Sequence, residues 1–191
     1  WMDLCNVING ISEKEMLEKF ENLNHNKRIK NKSLSVAINE IIDEKLVSID
    51  WLRQANIFNP MDKNHPDPSP RSTRFRLDFA KNDIAVEVAF NHGEAAAWNL
   101  MKPVLSSEMN HIEKECETKY GVVITATHDM KRIGGFDNAV GTYEKYERYL
   151  IAMNTQLTVP LVLIGLRPPK SFFVKHVKEG KATVGIIKKL H

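Results

Sequence analysis

Residues 77–90 read L-D-F-A-K-N-D-I-A-V-E-V-A-F, and within them Asp78 and Glu87 are two carboxylates with eight residues between them. Glu87 stands in the middle of a β-branched run. A carboxylate there is costly to bury unless it is paired, protonated or bound to a metal, and Asp78 is placed to share a cation with it. The alternation predicts a hairpin, with one strand at 76–79, turn chemistry at Lys81, Asn82 and Asp83, and a second strand at 84–90. On that strand Ile84, Val86, Val88 and Phe90 form a core face, and Ala85, Glu87, Ala89 and Asn91 share the other. Two carboxylates converging at the end of such a hairpin suit Mg²⁺, a hard ion that takes oxygen ligands, keeps several waters and is completed by phosphate oxygens. Phosphodiester hydrolysis is the reaction this chemistry suits. The ordinary alternative keeps Asp78 as a turn residue and leaves Glu87 facing solvent or paired with Arg74 or Arg76.

The flanking elements must position that pair. Residues 12–23 predict a helix, with Met16, Leu17, Phe20 and Leu23 at helical spacing and a capping box of Ser12 and Glu15. A second helix over 33–46 buries Leu34, Ala37, Ile38, Ile41, Ile42 and Leu46, leaving Asn39, Glu40, Asp43 and Glu44 mostly opposite. Residues 59–73 carry Pro60, Pro66, Pro68 and Pro70, which preclude a regular helix and predict a long connection into the hairpin. Arg71, Arg74 and Arg76 arrive with it. They suit DNA backbone contact, and solvated charges or local ion pairs equally well. A helix over 94–101 follows; Pro103 is expected to interrupt or kink it, and helical spacing at Met109, Ile112 and Cys116 continues it through 107–119 until Gly121. Strands at 122–127 and 157–166, separated by a Tyr-rich amphipathic helix over 142–154, complete an α/β sheet covered on both faces. The tail from 168 reads as short strands or loop.

Residues 128–140, H-D-M-K-R-I-G-G-F-D-N-A-V, are expected to be an irregular loop. Asn reads adenine bidentately and Asp accepts from cytosine, so Asp137 and Asn138 have base-reading chemistry; a Gly-rich turn with a helix cap is the alternative for Asp137. His92 follows the hairpin directly. The other histidines show no metal-ligand spacing, and no G-x-S-x-G, P-loop or Rossmann fingerprint is present.

A chain of 191 residues with 42% hydrophobic content fits one domain, with a helical part at about 10–58, a core at about 71–167 and a tail at 168–191. The net charge of +3 permits nucleic-acid binding without demanding it. Cys5 and Cys116 lack C-x-x-C spacing, which argues against a zinc site or disulfide framework and for a reducing, cytoplasmic setting. No run approaches a membrane span, and no signal-peptide pattern opens the chain. Trp1 before Met2 is set aside.

Asp78 and Glu87, with the turn between them, resemble the metal site of PD-(D/E)XK nucleases, in particular the type II restriction endonucleases of the BglII and BstYI group. Asn39-Glu40 through Lys45-Leu46 to Trp51 resembles an early helix of that group, Tyr143-Glu144 opens a similar late helix, and Val159-Pro160-Leu161-Val162-Leu163-Ile164-Gly165 resembles its last core strand. The resemblance covers most of 39–166. It implies a central mixed sheet flanked by helices and a homodimer cutting double-stranded DNA at a short palindrome, its core GATC in the group's known targets. Mg²⁺, with Mn²⁺ able to substitute, would be held by Asp78 and Glu87, and a cognate DNA methyltransferase is expected in the host. Base reading would fall to Asn91, His92 and Asn138, with Arg74 and Asp137 beside them, and Glu40 and Glu94 would be auxiliary to the metal site. One position departs from the pattern. The group has glutamine two residues after the glutamate and most of the superfamily lysine, whereas this chain has Ala89. Asn91, His92, Glu94 and Lys102 are the local candidates to replace it, Asn91 foremost, and glutamine or lysine at position 89 is expected to be tolerated. Three other readings stand: a repair or structure-selective nuclease on the same scaffold, a DNA-binding protein without cleavage, and a metal-independent interaction module in which the carboxylate pair is coincidental.

Overall fold

The computed structural model describes residues 1–25, 30–67 and 74–190. Its elements run α1 (Met2–Asn9), α2 (Glu13–His25), α3 (Ser35–Val47), β1 (Leu52–Asn56), β2 (Arg76–Lys81), β3 (Ile84–Val88), a 3-10 turn at Gly93–Ala95, α4 (Ala96–Glu108), β4 (Tyr120–Ala126), α5 (His128–Ile133), α6 (Tyr143–Ala152), β5 (Leu161–Leu166), β6 (Phe172–Glu179) and β7 (Ala182–Lys189). Strands β1 to β5 form one mixed sheet in sequence order. The first three pair antiparallel, and β3, β4 and β5 run parallel.

Both faces of that sheet are covered, as a parallel β3–β4–β5 core requires. Phe79, Val86, Val122 and Ile124 pack against Leu4, Phe20, Ile38, Ile41 and Ile42 of the N-terminal helices. The opposite face carries Ala89 and Val123, closed by Ala96 and Leu100 of α4 and Tyr146 of α6. The face that holds Glu87 is therefore core as well. Gly121 explains how closely α4 approaches: a Cβ there would lie 2.7 Å from Pro103 Cβ and 2.3 Å from Leu161 Cδ2.

The Ser12–Glu15 capping contact is present, with the Glu15 N–H donating to Ser12 Oγ at 3.1 Å. Several expectations need correction. Helix α4 runs unbroken through Pro103, because packing on the sheet offsets the hydrogen bond that proline removes. Residues 109–119 are not helical; Met109 and Cys116 instead flank the cluster of Ile57, Phe58, Leu77 and Ile112, and the segment pairs with 57–59. Strand β1 lies inside the stretch read as helical, at a sheet edge where three of its five residues are exposed. Residues 128–133 form a helix capped by Thr127, whose side chain accepts from the Met130 N–H. Strand β5 begins at Leu161, after Pro160. The tail is a regular eight-residue-per-strand hairpin. Gly185 in β7 sits where a Cβ would meet the Lys32 carbonyl at 2.4 Å, so only glycine allows the hairpin to seat there. His176 Nε2 lies 3.1 Å from that carbonyl and 2.9 Å from the Gly135 carbonyl, tying the hairpin to the loop after α5. Pro68, Pro70 and Arg71 lie outside the described residues.

Candidate active site

Strands β2 and β3 are joined by a tight turn in which Asn82 takes φ 51°, a left-handed conformation that asparagine tolerates. Their paired register runs from Lys81–Ile84 to Phe79–Val86 and stops there. At the next position Asp78 stands across from Glu87, and the strands part. The Val88 N–H, freed from the ladder, donates instead to Asp78 Oδ2 at 2.8 Å. Asp78 Oδ1 accepts from Gln54 Nε2 at 3.3 Å. Gln54 itself has φ 51° within β1, a strained conformation for a non-glycine residue of the kind that collects at functional sites.

Glu87 is 2% exposed. Its Oε2 accepts from Lys102 Nζ, which reaches over from α4 and also donates to the Arg76 carbonyl at 3.0 Å. Its Oε1 is buried without a hydrogen-bond partner. Burial pushes the Glu87 carboxyl up to about 8; the charge of Asp78 adds to the rise, and the Lys102 ammonium opposes it. Tyr146, whose hydroxyl accepts from Asn99 Nδ2 at 2.7 Å, is pushed up to about 12, chiefly by burial, and stays neutral.

The Glu87 shift sets a pH dependence. Below its ordinary value of 4.5 both folded and unfolded chains hold the proton. Between that value and about 8 only the folded chain does, so its contribution to stability is full at low pH and is lost as pH rises to about 8. In chelator, the urea midpoint of the wild type is expected to fall from about pH 6 to about pH 8 more steeply than that of Glu87→Gln. Parallel profiles for the two proteins would contradict the assignment of this shift to Glu87.

Asp78 opens on a cleft of about 250 Å³ whose walls include Asn39, Glu40 and Asp43 of α3 with Arg53 and Gln54 of β1. Among the described residues no three His, Cys, Asp or Glu side chains form a metal-binding group. Two carboxylates, one with a buried unpartnered oxygen, nevertheless fit a hard divalent ion that keeps most of its waters.

A second pocket, of about 330 Å³, is walled by His92 and Glu94 after β3, by His128 and Lys131 of α5, by Asn138, and by Lys145 of α6. The two stretches expected to read bases are physically joined here. The Gly93 N–H donates to the Ala139 carbonyl at 2.7 Å, the Gly141 N–H to the Asn91 carbonyl at 3.1 Å, and His92 bridges to Val140. Thr125 Oγ1, buried, lies 3.0 Å from the Ala89 carbonyl and 3.1 Å from the Gly141 carbonyl and shares its single proton between them. Lys131 Nζ donates to the Asn138 carbonyl at 2.6 Å and the Val140 carbonyl at 3.1 Å, fixing the loop from the other side.

The sequence-predicted residues thus divide into two groups. Asp78 and Glu40 line the cleft and Glu87 is buried next to Asp78 without lining it, while His92, Glu94 and Asn138 belong to the second pocket. Glu94 does not line the Asp78 cleft. Asn91 is exposed between the groups, its Oδ1 accepting from Asn99 Nδ2 at 3.1 Å. The Asp137 carboxylate accepts from the Ala139 N–H at 2.9 Å, a local turn bond. Arg74 is exposed just ahead of β2. Gln54 and Lys145 are the residues here that the sequence does not single out, and Lys145 carries no distinguishing spacing.

Residues 1–166 match the sequence model of the family described as restriction endonuclease BglII/BglIII. The chain belongs to that family. The crystal structure of BglII complexed with a DNA 16-mer is similar at 16% identity over 95% of this chain and 94% of that one, with a TM-score of 0.56. Free BglII is 20% identical over 97% and 96%, with a TM-score of 0.46. No curated protein matches. The likeness extends to the fold, a five-strand mixed sheet flanked by helices of the PD-(D/E)XK nuclease kind.

Proposed function

We propose that this protein is a Mg²⁺-dependent type II restriction endonuclease that hydrolyses double-stranded DNA at a short palindrome. The observation that carries the reading is the carboxylate pair itself: Asp78 and Glu87 face each other where β2 and β3 part, with Glu87 Oε1 buried and unpartnered, in a chain of the BglII/BglIII family. Asp78 and Glu87 would hold the ion, and Mn²⁺ should substitute for Mg²⁺. When bound, it supplies Lewis-acid charge beside the scissile phosphate. The protein's own part is to keep both carboxylates fixed, Asp78 through the Val88 N–H and Glu87 through Lys102.

The second pocket is the proposed base-reading surface, its His92 and Asn138 backed by a loop that Thr125 and Lys131 hold in place, with Asn91 exposed beside it. A palindrome is most simply read and cut by two copies of the chain, so the acting species is a homodimer. The setting is the cytoplasm, where a cognate methyltransferase protects host DNA, and the target contains GATC. Plasmid digestion with Mg²⁺ or Mn²⁺ followed by sequencing of the ends tests this reading. Discrete fragments whose ends map to one palindrome are expected. A folded protein that binds such a site and leaves both strands intact would favour the non-cleaving alternative that Ala89 suggests, and nicking at branches would favour a repair nuclease.

Asn138→Ala is expected to lose about 1–3 kcal/mol of discrimination at one base position without changing the unfolding midpoint. Cleavage of substrates substituted base by base measures it. A uniform loss on all sequences would reassign Asn138 to phosphate contact.

A further inference from the structure

Position 89 is sealed. Ala89 is 1% exposed, enclosed by Ala96, Leu100, Val123 and Tyr146, so the packing leaves no room for a longer side chain two residues after Glu87. The small residues at 89 and 96 bring α4 onto β3 there. Further along the same helix, Pro103 lies on Gly121 of β4. The residue between those two contacts that turns to the carboxylates is Lys102. Its side chain is 11% exposed, and its ammonium has two partners, Glu87 Oε2 and the Arg76 carbonyl. These lie on the two strands that part at the centre. Lys102 therefore bridges β2 and β3 where their ladder has ended, and it occupies one Glu87 oxygen while the other stays unpartnered.

We propose that Lys102 is the positioning residue of this centre: delivered from α4 in place of the side chain missing at Ala89, it fixes the rotamer of Glu87 through Oε2 and so presents Oε1 to a divalent cation. The inference rests on the nuclease reading given above. Hydrogen-bonding partners of ligating carboxylates typically contribute 10–100-fold in metal affinity or activity, a range that a lysine with only a packing role would not reach.

The test uses the full chain and two readouts. Mn²⁺ alone is titrated into DNA-free protein and followed by its electron paramagnetic resonance signal, and cleavage of a duplex substrate is resolved into kcat and KM. Lys102→Met is expected to weaken Mn²⁺ binding and lower kcat by roughly 10–100-fold each, with KM for DNA nearly unchanged, and Lys102→Arg is expected to recover part of both. Wild-type Mn²⁺ affinity and kcat in Lys102→Met would overturn the proposal. Should that variant fail to fold, Lys102→Ala, which removes the donor and adds no bulk, decides the matter: lowered Mn²⁺ affinity and kcat support the positioning role, and wild-type values overturn it. Asp78→Asn runs alongside as the control. If Asp78→Asn is inactive while Lys102→Met is unimpaired, only the Lys102 inference fails; if Asp78→Asn itself cleaves normally, the nuclease reading of the centre fails first.

Discussion

Asp78→Asn and Glu87→Gln are each expected to lower double-strand cleavage by about a thousandfold or more while leaving DNA affinity within a few-fold of wild type. Asp78→Asn removes a negative charge that the proposed cation needs, Glu87→Gln removes a carboxyl group that can give up its proton to that cation, and each changes little else. An asparagine at 78 keeps an oxygen for the Val88 N–H, so the parting of β2 and β3 survives. A glutamine at 87 keeps an oxygen for Lys102. Several kcal/mol of Lewis-acid help at the transition state corresponds to that loss of rate. Of the groups proposed to touch bases, His92 and Asn138 line the second pocket, formed by the segment after β3, by α5 and its following loop, and by Lys145 of α6. Initial rates on supercoiled plasmid, set beside gel-shift affinities in Ca²⁺, separate the two effects. Near-normal cleavage by either variant would remove the carboxylate pair from the chemistry.

The carboxylate pair was legible because a two-residue alternation fixes which side chains share a strand face, and because an acid among β-branched residues stands out against that pattern. The large parallel strands were legible as continuous apolar runs. Strand β1 was not, since L-R-Q-A-N is an exposed edge whose pairing depends on β2. Helix α5 was hidden by the polar His128-Asp129 start and the Gly134-Gly135 end; Thr127 as its cap was the available signal. Residues 109–119 misled because three apolar residues at helical spacing also serve a loop that folds back over Ile57 and Phe58. Lys102 stood among several local candidates. What singles it out is how closely α4 lies on the sheet, and that closeness depends on Gly121 and the alanines at 89 and 96, small residues whose effect appears only in three dimensions.

Ala89→Lys is expected to destabilise the protein by more than about 3 kcal/mol, seen as a lower urea midpoint with an unchanged slope. By family pattern this substitution would restore a missing catalytic side chain. By packing it is an intrusion, and the sequence-based expectation that it is tolerated gives way. The added chain would enter the space held by Leu100, Val123 and Tyr146, all nearly fully buried, and its ammonium would find Glu87 Oε2 already occupied by Lys102. Overpacking and an uncompensated buried charge act in the same direction. Ala89→Gly, which leaves that space open, should cost only about 0.5–1 kcal/mol, so the pair of variants separates crowding from simple loss of strand propensity. A wild-type midpoint in Ala89→Lys would mean that α4 can lift from β3, and the reason for a lysine at 102 would then have to be sought elsewhere.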